Sequence, residues 1–337
     1  MNIAQQLDGW LPIRVHWQND TPLFDWCYLG ARRLTEPFFD NTIESLFQHP
    51  FNLLIRPLTG IDVLEQCYEL RPGLKPDGFI FHLSRCGSTL VSQMLAALPQ
   101  NVVVSEASPL DWMVRARLRR PEISETEQID WIRWITAALG QKNVPEAAHY
   151  FIKLDAWHVF ELEILMKAFP DTPWIFLYRD PLEVMVSHDR QRGGGTIPGI
   201  VSHQLPGLTL VDSLQISAEE YVARVLGKIC ESALEYCDHR NALLINYKQL
   251  PQFVTSEILP HFSVEYSPEE IETMNAAARF DAKMPAVEFT GDSEQKRKEA
   301  SAEIRRLSDE MLMPLYERLE AARIARAAQR SRLKFAE

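Results

Sequence analysis

The 337-residue chain lacks the features that mark several classes of protein. Its five cysteines include no CxxC pair, which argues against a zinc site or a disulfide framework and favours free thiols in a reducing compartment. No apolar run approaches the ~18 residues of a transmembrane helix. The N-terminus has no basic segment followed by an apolar one, so we expect no signal peptide. The net charge of −11 argues against nucleic-acid binding. We therefore expect a cytoplasmic protein without a membrane span or a nucleic-acid partner.

The chain does contain enough apolar sequence for a large core, with 46% hydrophobic and 24% charged residues. We predict an N-terminal extension over residues 1–75 that packs on the core, an α/β domain over 76–300 and a C-terminal helix over 301–337. Within the extension, residues 42–47 are expected to form a short helix and 51–55 an extended segment. The extension is rich in aromatic residues. Packing explains them most simply, and lining a ligand pocket is the alternative.

Short apolar runs alternate with helical patterns from residue 78 onward. The runs typical of buried strands cover residues 78–83, 101–105, 150–154, 173–178 and 242–246. This alternation predicts an α/β fold, a doubly wound parallel sheet with helices on both faces. Ligands of such sheets bind beyond the carboxyl ends of the strands. The polar residues at those positions are Arg85, Glu106, Lys153, Asp155 and Arg179.

The loop after the first of these runs reads Ser84-Arg85-Cys86-Gly87-Ser88-Thr89. A helical pattern follows it, and Ser88 and Thr89 stand where a helix N-cap belongs. Strand, loop and helix in this order predict a phosphate site, because the first-turn N–H groups lack intrahelical partners. The triphosphate loop GxxxxGK[ST] needs a Lys before the hydroxyl residue. Here Gly87 takes that place and Arg85 is the cation, which disfavours a nucleotide-triphosphate kinase.

A second phosphate motif follows the 173–178 run, with Arg179, Pro181 and Ser187. The guanidinium is a permanent fork-shaped donor, Pro opens a helix, and a hydroxyl lies two turns further on. By itself, Arg-Asp-Pro is common, and a salt-bridged structural Arg would explain it equally well. This motif and the 84–89 loop each follow a predicted strand. Their occurrence together is much more specific for a phosphate site than either motif alone.

Together the two motifs resemble those of sulfotransferases that use 3′-phosphoadenosine-5′-phosphosulfate (PAPS). SRCGST resembles the 5′-phosphosulfate loop, more closely that of the Golgi, carbohydrate or tyrosyl and bacterial branch than that of the cytosolic branch, although Cys86 replaces the usual Ser. RDPxxxxxS resembles the 3′-phosphate motif. The resemblance covers roughly residues 76–280 and implies a P-loop-type fold. It also implies cofactor contacts from the loop and from the second motif: Ser84, Arg85, Cys86, Gly87, Ser88, Thr89, Arg179 and Ser187.

The same resemblance implies roles for residues outside the two motifs. Glu106 matches a carboxylate that serves as the acceptor's base, and its alternative role is to cap the following helix. Lys153 resembles a Lys that steadies the departing sulfuryl oxygens, with Arg85 also near the reacting group. Tyr247 resembles a Tyr near the adenine, although Lys248 replaces the usual acid after it. Lys296 and Arg297, which follow Phe289-x-x-Asp292, are a late basic contact with the 3′-phosphate, or else a solvated charge run.

The predicted function is in-line transfer of a sulfuryl group from PAPS to a hydroxyl or amine on a small-molecule or peptide acceptor. The product of the donor would be 3′-phosphoadenosine-5′-phosphate (PAP), and no metal is expected. A small-molecule kinase of the same fold and a catalytically inactive nucleotide-binding module are the alternatives. His82, His158 and His188 rank below Glu106 as the base. The glycine-rich stretch 192–199 is a surface loop or a lid over the acceptor.

Overall fold

The computed structural model describes residues 3–18, 21–201, 205, 208–283 and 292–334, with the backbone alone for 331–334. The strands are β1 (Trp10–Gln18), β2 (Thr21–Tyr28), β3 (Leu58–Gly60), β4 (Gly78–His82), β5 (Asn101–Ser105), β6 (His149–Lys153), β7 (Trp174–Tyr178) and β8 (Ala242–Asn246). The helices are α1 (Ile3–Gln6), α2 (Phe39–Leu46), α3 (Pro50–Leu54), α4 (Ile61–Leu70), α5 (Ser88–Ala96), α6 (Ser108–Val114), α7 (Ala116–Arg119), α8 (Glu125–Leu139), α9 (Leu162–Ala168), α10 (Pro181–Arg190), α11 (Leu210–Gln215), α12 (Ala218–Glu235), α13 (Leu259–His261), α14 (Pro268–Ala277), α15 (Ser293–Glu299), α16 (Ala302–Leu307) and α17 (Met313–Lys334).

The central sheet has five parallel strands in the order β5-β6-β4-β7-β8. Every residue of β4, β5, β7 and β8 is buried, as expected for strands covered by helices on both faces. The chain starts in the middle of the sheet at β4, moves to one side through β5 and β6, and then to the other through β7 and β8. The predicted doubly wound α/β fold is therefore confirmed. The switch of direction lies at β4, which places the expected ligand site at its carboxyl end.

The predicted core elements agree with the structure to within one residue at each strand end. Ser124 caps α8, because its hydroxyl accepts from Glu127 N at 3.2 Å while Glu127 Oε2 accepts from Ser124 N at 3.0 Å. This is the capping box that the Ser-x-x-Glu spacing predicts. The sequence between β6 and β7 predicts a helix over 158–169, but the structure divides this stretch into a 3-10 segment, Ala156–Glu161, and α9.

The N-terminal extension forms a separate antiparallel sheet, β1-β2-β3, that the sequence pattern did not predict. The prediction of an extended segment over 51–55 is wrong, since α3 occupies residues 51–54 and only Ile55 is extended. Pro50 opens this helix, and His49 Nδ1 accepts from Phe51 N at 3.2 Å. The helix expected over 42–47 begins earlier, at Phe39, because Phe38 is its N-cap residue.

The extension is fastened to the α/β core by polar and aromatic contacts. Arg33 Nη2 donates to the carbonyl oxygens of Ala96 and Leu98, each at 2.6 Å, and so satisfies acceptors at the end of α5. The Trp17 and Trp131 rings lie 6.2 Å apart, joining β1 to α8. These contacts agree with the packing explanation of the aromatic residues.

The C-terminal helix α17 packs against the last strand of the sheet. Glu320 accepts hydrogen bonds from the Tyr178 hydroxyl and from Asn246 Nδ2, and Asn246 Nδ2 lies 2.9 Å from the Tyr316 hydroxyl. Tyr178 and Asn246 are the last residues of β7 and β8, so the helix holds the sheet edge from which the predicted site residues project.

The five cysteines are free and buried. Among the described residues, no helix has the length and apolar character needed to cross a bilayer.

Candidate functional site

The loop after β4 has an uncommon backbone conformation. Ser84, Arg85 and Gly87 all have positive φ, at 72°, 50° and 90°. The N-cap of α5 is Gly87 rather than Ser88 or Thr89, which are the first residues of the helix. Both hydroxyl residues are buried, and their N–H groups belong to the first turn, where no intrahelical acceptor exists. The helix dipole adds partial positive charge at this point.

Gly87 is required by two features of the fold. Its φ of +90° is unfavourable for other residues, and an added Cβ would lie 2.8 Å from Leu250 Cδ1 and 2.9 Å from Tyr247 Cδ2. The Tyr247–Gln249 segment therefore packs directly against the loop. Cys86 is fully buried and its Sγ donates to Leu177 O at 3.1 Å. Burial raises the pKa of this thiol to about 12, so Cys86 offers a structural side chain rather than a reactive one.

Arg85 reaches from the loop to the end of α10. Its Nη2 donates to the carbonyl oxygen of Gln191 at 2.6 Å. Gln191 is the residue that ends α10, the helix which begins after Arg179-Asp180. The first predicted motif is thus bonded to the C-terminal end of the helix that carries Ser187 of the second motif.

A buried ion pair lies at the ends of β5 and β6. Lys153 Nζ is 2.6 Å from Glu106 Oε1, and the Lys153 side chain is fully buried with the Phe38 ring centroid 4.4 Å away. Burial opposes ionisation of Glu106, but the charge of Lys153 and a hydrogen bond from His82 outweigh it and hold the pKa of this carboxyl well below its usual range. Glu106 also has a positive φ of 56°, which is uncommon outside glycine and concentrates at functional sites.

His82, the last residue of β4, fixes the other side of Glu106. Its Nδ1 accepts from Ser84 N at 3.0 Å, so the proton of the neutral ring is on Nε2. Nε2 lies 2.9 Å from Leu154 O and 3.5 Å from Glu106 Oε1. Burial lowers the pKa of His82. The Nε2–H therefore donates to Leu154 O and also faces Glu106 at the longer distance, an arrangement that the position of His82 inside a strand did not reveal.

The second motif forms a buried charged cluster. Arg179 Nε donates to Glu183 Oε2 at 2.7 Å, and its Nη2 lies 3.2 Å from Asp292 Oδ1. The guanidinium stacks 4.0 Å from the Tyr247 ring centroid, while no described residue bonds to its Nη1. Ser187 donates to Glu183 O at 2.7 Å. The Arg is thus salt-bridged, as the structural alternative required, and it also lines the cavity described below.

The two late basic residues differ in position. Lys296 is buried, with its Nζ 2.8 Å from Asp292 Oδ2, and it lines the same cavity as Arg179. Arg297 has a side chain that is 52% exposed, pairs with Asp180 at 3.0 Å, and is not among the cavity-lining residues. Phe289, next to this stretch, lies outside the described residues.

One cavity of about 660 Å³ joins these groups at the carboxyl end of β4. Every sequence-predicted site residue except Lys153 and Arg297 lines it. Lys153 lies behind Glu106 and Phe38. Three aromatic residues also line it: Phe38, Trp157 and Phe280. Phe38 belongs to the extension, whose aromatic residues had pocket lining as the alternative to packing, whereas the sequence pattern did not indicate Trp157 or Phe280. Nothing in the local spacing of the three indicates a shared cavity, because they come from three distant parts of the chain.

Asp111 fixes the Trp157 wall of the cavity. Its carboxylate accepts from Trp157 Nε1 at 2.8 Å and His158 Nε2 at 2.9 Å, and also from Arg115 and Arg119. Burial opposes ionisation, but these donors hold the pKa of Asp111 well below its usual range. Asp111, Asp155 and His158 offer three ligand atoms within 4.8 Å of one another. The hydrogen bonds to Asp111 and His158 account for this arrangement without a metal ion.

A doubly wound parallel sheet with a strand–loop–helix unit at its switch point is a P-loop-type fold. Within this fold class, residues 76–202 match the model of the sulfotransferase family. The matched segment contains both phosphate motifs, so the resemblance predicted from them is confirmed over these residues. No curated protein matches the chain.

Solved structures of sulfotransferases are similar to this chain at low identity. The enzyme from Alicyclobacillus acidocaldarius has a TM-score of 0.44 and 13% identity over 74% of this chain and 96% of its own. The sulfotransferase domain of the Synechococcus PCC 7002 olefin synthase has a TM-score of 0.43 and 17% identity, over 74% and 94%. Mouse sulfotransferase SULT7A1, crystallised with PAP, has a TM-score of 0.41 and 12% identity, over 80% and 93%.

Proposed function

We propose that this protein is a sulfotransferase that transfers the sulfuryl group of PAPS to a hydroxyl or amine, on a small-molecule or peptide acceptor, and releases PAP without a metal. The observation that carries the proposal is the single cavity that joins the 84–89 loop, the Arg179 cluster and the Glu106 carboxylate. A donor with phosphates at two ends needs positive groups at two separated points, and a transfer to a hydroxyl needs a base between them. The free buried cysteines fit the cytoplasmic location expected from the sequence.

The Arg179 side of the cavity would hold the 3′-phosphate. Arg179 keeps Nη1 without a partner among the described residues, and Lys296 adds a second positive charge beside it. Ser187 can turn its hydroxyl from Glu183 O towards a phosphate oxygen. Tyr247 packs between Arg179 and Gly87 and fits the adenosine part of the donor. Arg297 is directed at Asp180 instead, so we assign it a structural role.

The loop side of the cavity would hold the sulfuryl end. The backbone N–H groups of Ser88 and Thr89 and the side chain of Arg85 supply donors there. Ser84 and Cys86 contribute through the shape of the loop. In the reaction the acceptor oxygen bonds to sulfur, the bond from sulfur to the bridging phosphate oxygen breaks, and negative charge collects on that phosphate. Fixed donors near this oxygen lower the barrier.

Glu106 is the proposed base that receives the acceptor's proton. Its carboxylate lines the cavity, and His82 and Lys153 hold it in place and ionised. Lys153 acts as a positioning residue in this arrangement, because its ammonium group is fully buried behind Glu106. Its side chain would have to leave Glu106 to reach the departing sulfuryl oxygens.

Ligand preference tests the proposal directly. PAP should raise the melting temperature of the protein, and ATP with magnesium should raise it little, because the Arg179 cluster suits a 3′-phosphate. Arg179→Ala should weaken PAP binding by at least about tenfold, the usual worth of a charge-assisted hydrogen bond. Equal or greater protection by ATP would favour the kinase. PAP binding without transfer of label from PAPS to any component of a metabolite extract would favour the inactive module.

A further inference from the structure

His188 lies in α10, where this helix meets both the phosphate loop and the glycine-rich stretch. The side chain is 1% exposed and lines the cavity. A Cβ added at Gly193 would be 3.1 Å from His188 Cε1 and 3.5 Å from Ser84 Oγ, so the imidazole and the 84–89 loop both lie close to Gly193. The sulfotransferase proposal gives His188 no role.

The hydrogen bonds around the ring determine its tautomer. His188 Nδ1 accepts from Gly193 N at 3.2 Å. The Thr196 hydroxyl is 3.2 Å from the same atom and 2.8 Å from Gly193 O, to which it donates. Because Nδ1 needs its lone pair for the Gly193 N–H, the proton of the neutral ring is on Nε2. With its lone pair used in this way, His188 is not a candidate for the base.

His188 Nε2 is a buried donor with no hydrogen-bond partner among the described residues. Buried donors without partners are rare in folded proteins, and they indicate an acceptor that comes from elsewhere. The charged side chains that face His188 are Arg85, Arg192 and Lys283, all of them positive. None can accept a hydrogen bond. The group that completes this site is therefore an acceptor, and the surrounding charges favour one on an anion.

We propose that His188 Nε2–H donates a hydrogen bond to an oxygen of the donor's sulfuryl group. The inference rests on the proposed function, and it assigns the sulfuryl oxygens to this point because Arg85 reaches the same end of α10 through its bond to Gln191 O. Burial and the three cations lower the pKa of His188 to about 3. The ring thus stays neutral, with its donor in place, across the usual assay range.

The decisive comparison is between PAPS and PAP, since only PAPS carries the sulfuryl group. His188→Asn keeps an acceptor near the Nδ1 position for Gly193 N–H and removes the Nε2 donor. This variant should bind PAPS at least about tenfold more weakly in the absence of acceptor, and bind PAP within about twofold of wild type. Affinities would be measured by calorimetric titration. His188→Gln, whose amide extends towards the Nε2 position, should recover part of the loss.

His261→Asn is the matched control for loss of an imidazole. The His261 Nε2 bonds to the Trp174 and Asn241 carbonyls at 3.1 and 3.0 Å and does not line the cavity, so its variant should bind both ligands as wild type does. Equal losses for PAP and PAPS in His188→Asn would show that the imidazole only supports the loop, and unchanged affinities would show that it does not touch the ligand. Either result overturns the inference. Wild-type protein that binds no PAP would overturn the proposed function, and with it this role for His188.

Discussion

At the scale of single residues, the neighbours of Glu106 keep its carboxylate ionised but make it a weak base. A carboxylate that receives a proton in catalysis works best when its pKa lies near the pH of the reaction. Lys153 and His82 instead keep the pKa of Glu106 low. The proposed base is therefore ionised over a wide pH range, but its low pKa reduces the driving force for the proton transfer.

Lys153→Met should reveal the effect of Lys153 on the Glu106 pKa in the pH dependence of kcat/KM. Without the ammonium charge, the pKa of Glu106 rises, and the acidic limb of kcat/KM should move to higher pH. The variant should therefore lose activity at mildly acidic pH values where wild type remains active. Glu106→Gln should lack this limb and lose at least about a hundredfold in turnover, while PAP binding stays nearly unchanged. Initial rates between about pH 4 and 8 would measure both effects.

Lys167→Met is the control, since Lys167 is an exposed lysine that pairs with Glu125 and Glu163. Its profile should coincide with that of wild type. An unchanged acidic limb in Lys153→Met would contradict the assignment of Glu106 as the base. Retention of turnover by Glu106→Gln with a lowered melting temperature would identify Glu106 as a structural residue.

At the scale of structural elements, the β4–loop–α5 unit depends on its glycine. Gly87→Ala should lower the melting temperature and remove most of the protection by PAP. The left-handed conformation alone costs roughly 1–2 kcal/mol for a residue with a Cβ, and the added atom also meets Tyr247 and Leu250. Thermal unfolding with and without PAP would measure the two losses separately.

The control for this substitution is Gly227→Ala in α12. A Cβ there makes only ordinary contacts, at 3.7 Å from Leu312 and Leu315, and alanine favours the helix by about 1 kcal/mol. This variant should keep its response to PAP. Normal PAP protection in Gly87→Ala would mean that the nucleotide does not approach the 84–89 loop.

Elements with strong local signals were those that the sequence predicted. The apolar strands, the capping box at Ser124 and the two phosphate motifs each depend on residues close together in the chain. The first sheet was missed because Pro12 and Pro22 lie within β1 and β2 and weaken the strand pattern. The pairing of Arg179 with Asp292, and the convergence of Phe38, Trp157 and His188 on one cavity, depend on distant segments and leave no trace in local spacing.

At the scale of the whole molecule, the cavity is built by two parts of the chain. Phe38→Ala should raise the KM for the acceptor by several-fold and leave PAP affinity unchanged, because Phe38 comes from the extension and lies beside the Glu106–Lys153 pair. The acceptor for these kinetic measurements would be the component of a metabolite extract that takes up label from PAPS. Phe51→Ala, at an exposed aromatic of the same extension, is the control. If Phe38→Ala weakened PAP affinity as much as it raised the acceptor KM, the extension would support the whole cavity rather than the acceptor side.

The cavity residues come from two different segments of the chain, and this origin has an evolutionary consequence. Arg85, Arg179 and Ser187 belong to the segment that matches the family model, whereas Phe38 comes from a part of the chain before it. Under the proposed function, selection can therefore alter one wall without disturbing the residues proposed to bind the nucleotide. Relatives that share the two phosphate motifs but carry different N-terminal segments should form a modular set, in which exchanging that segment transplants acceptor preference and leaves donor affinity intact.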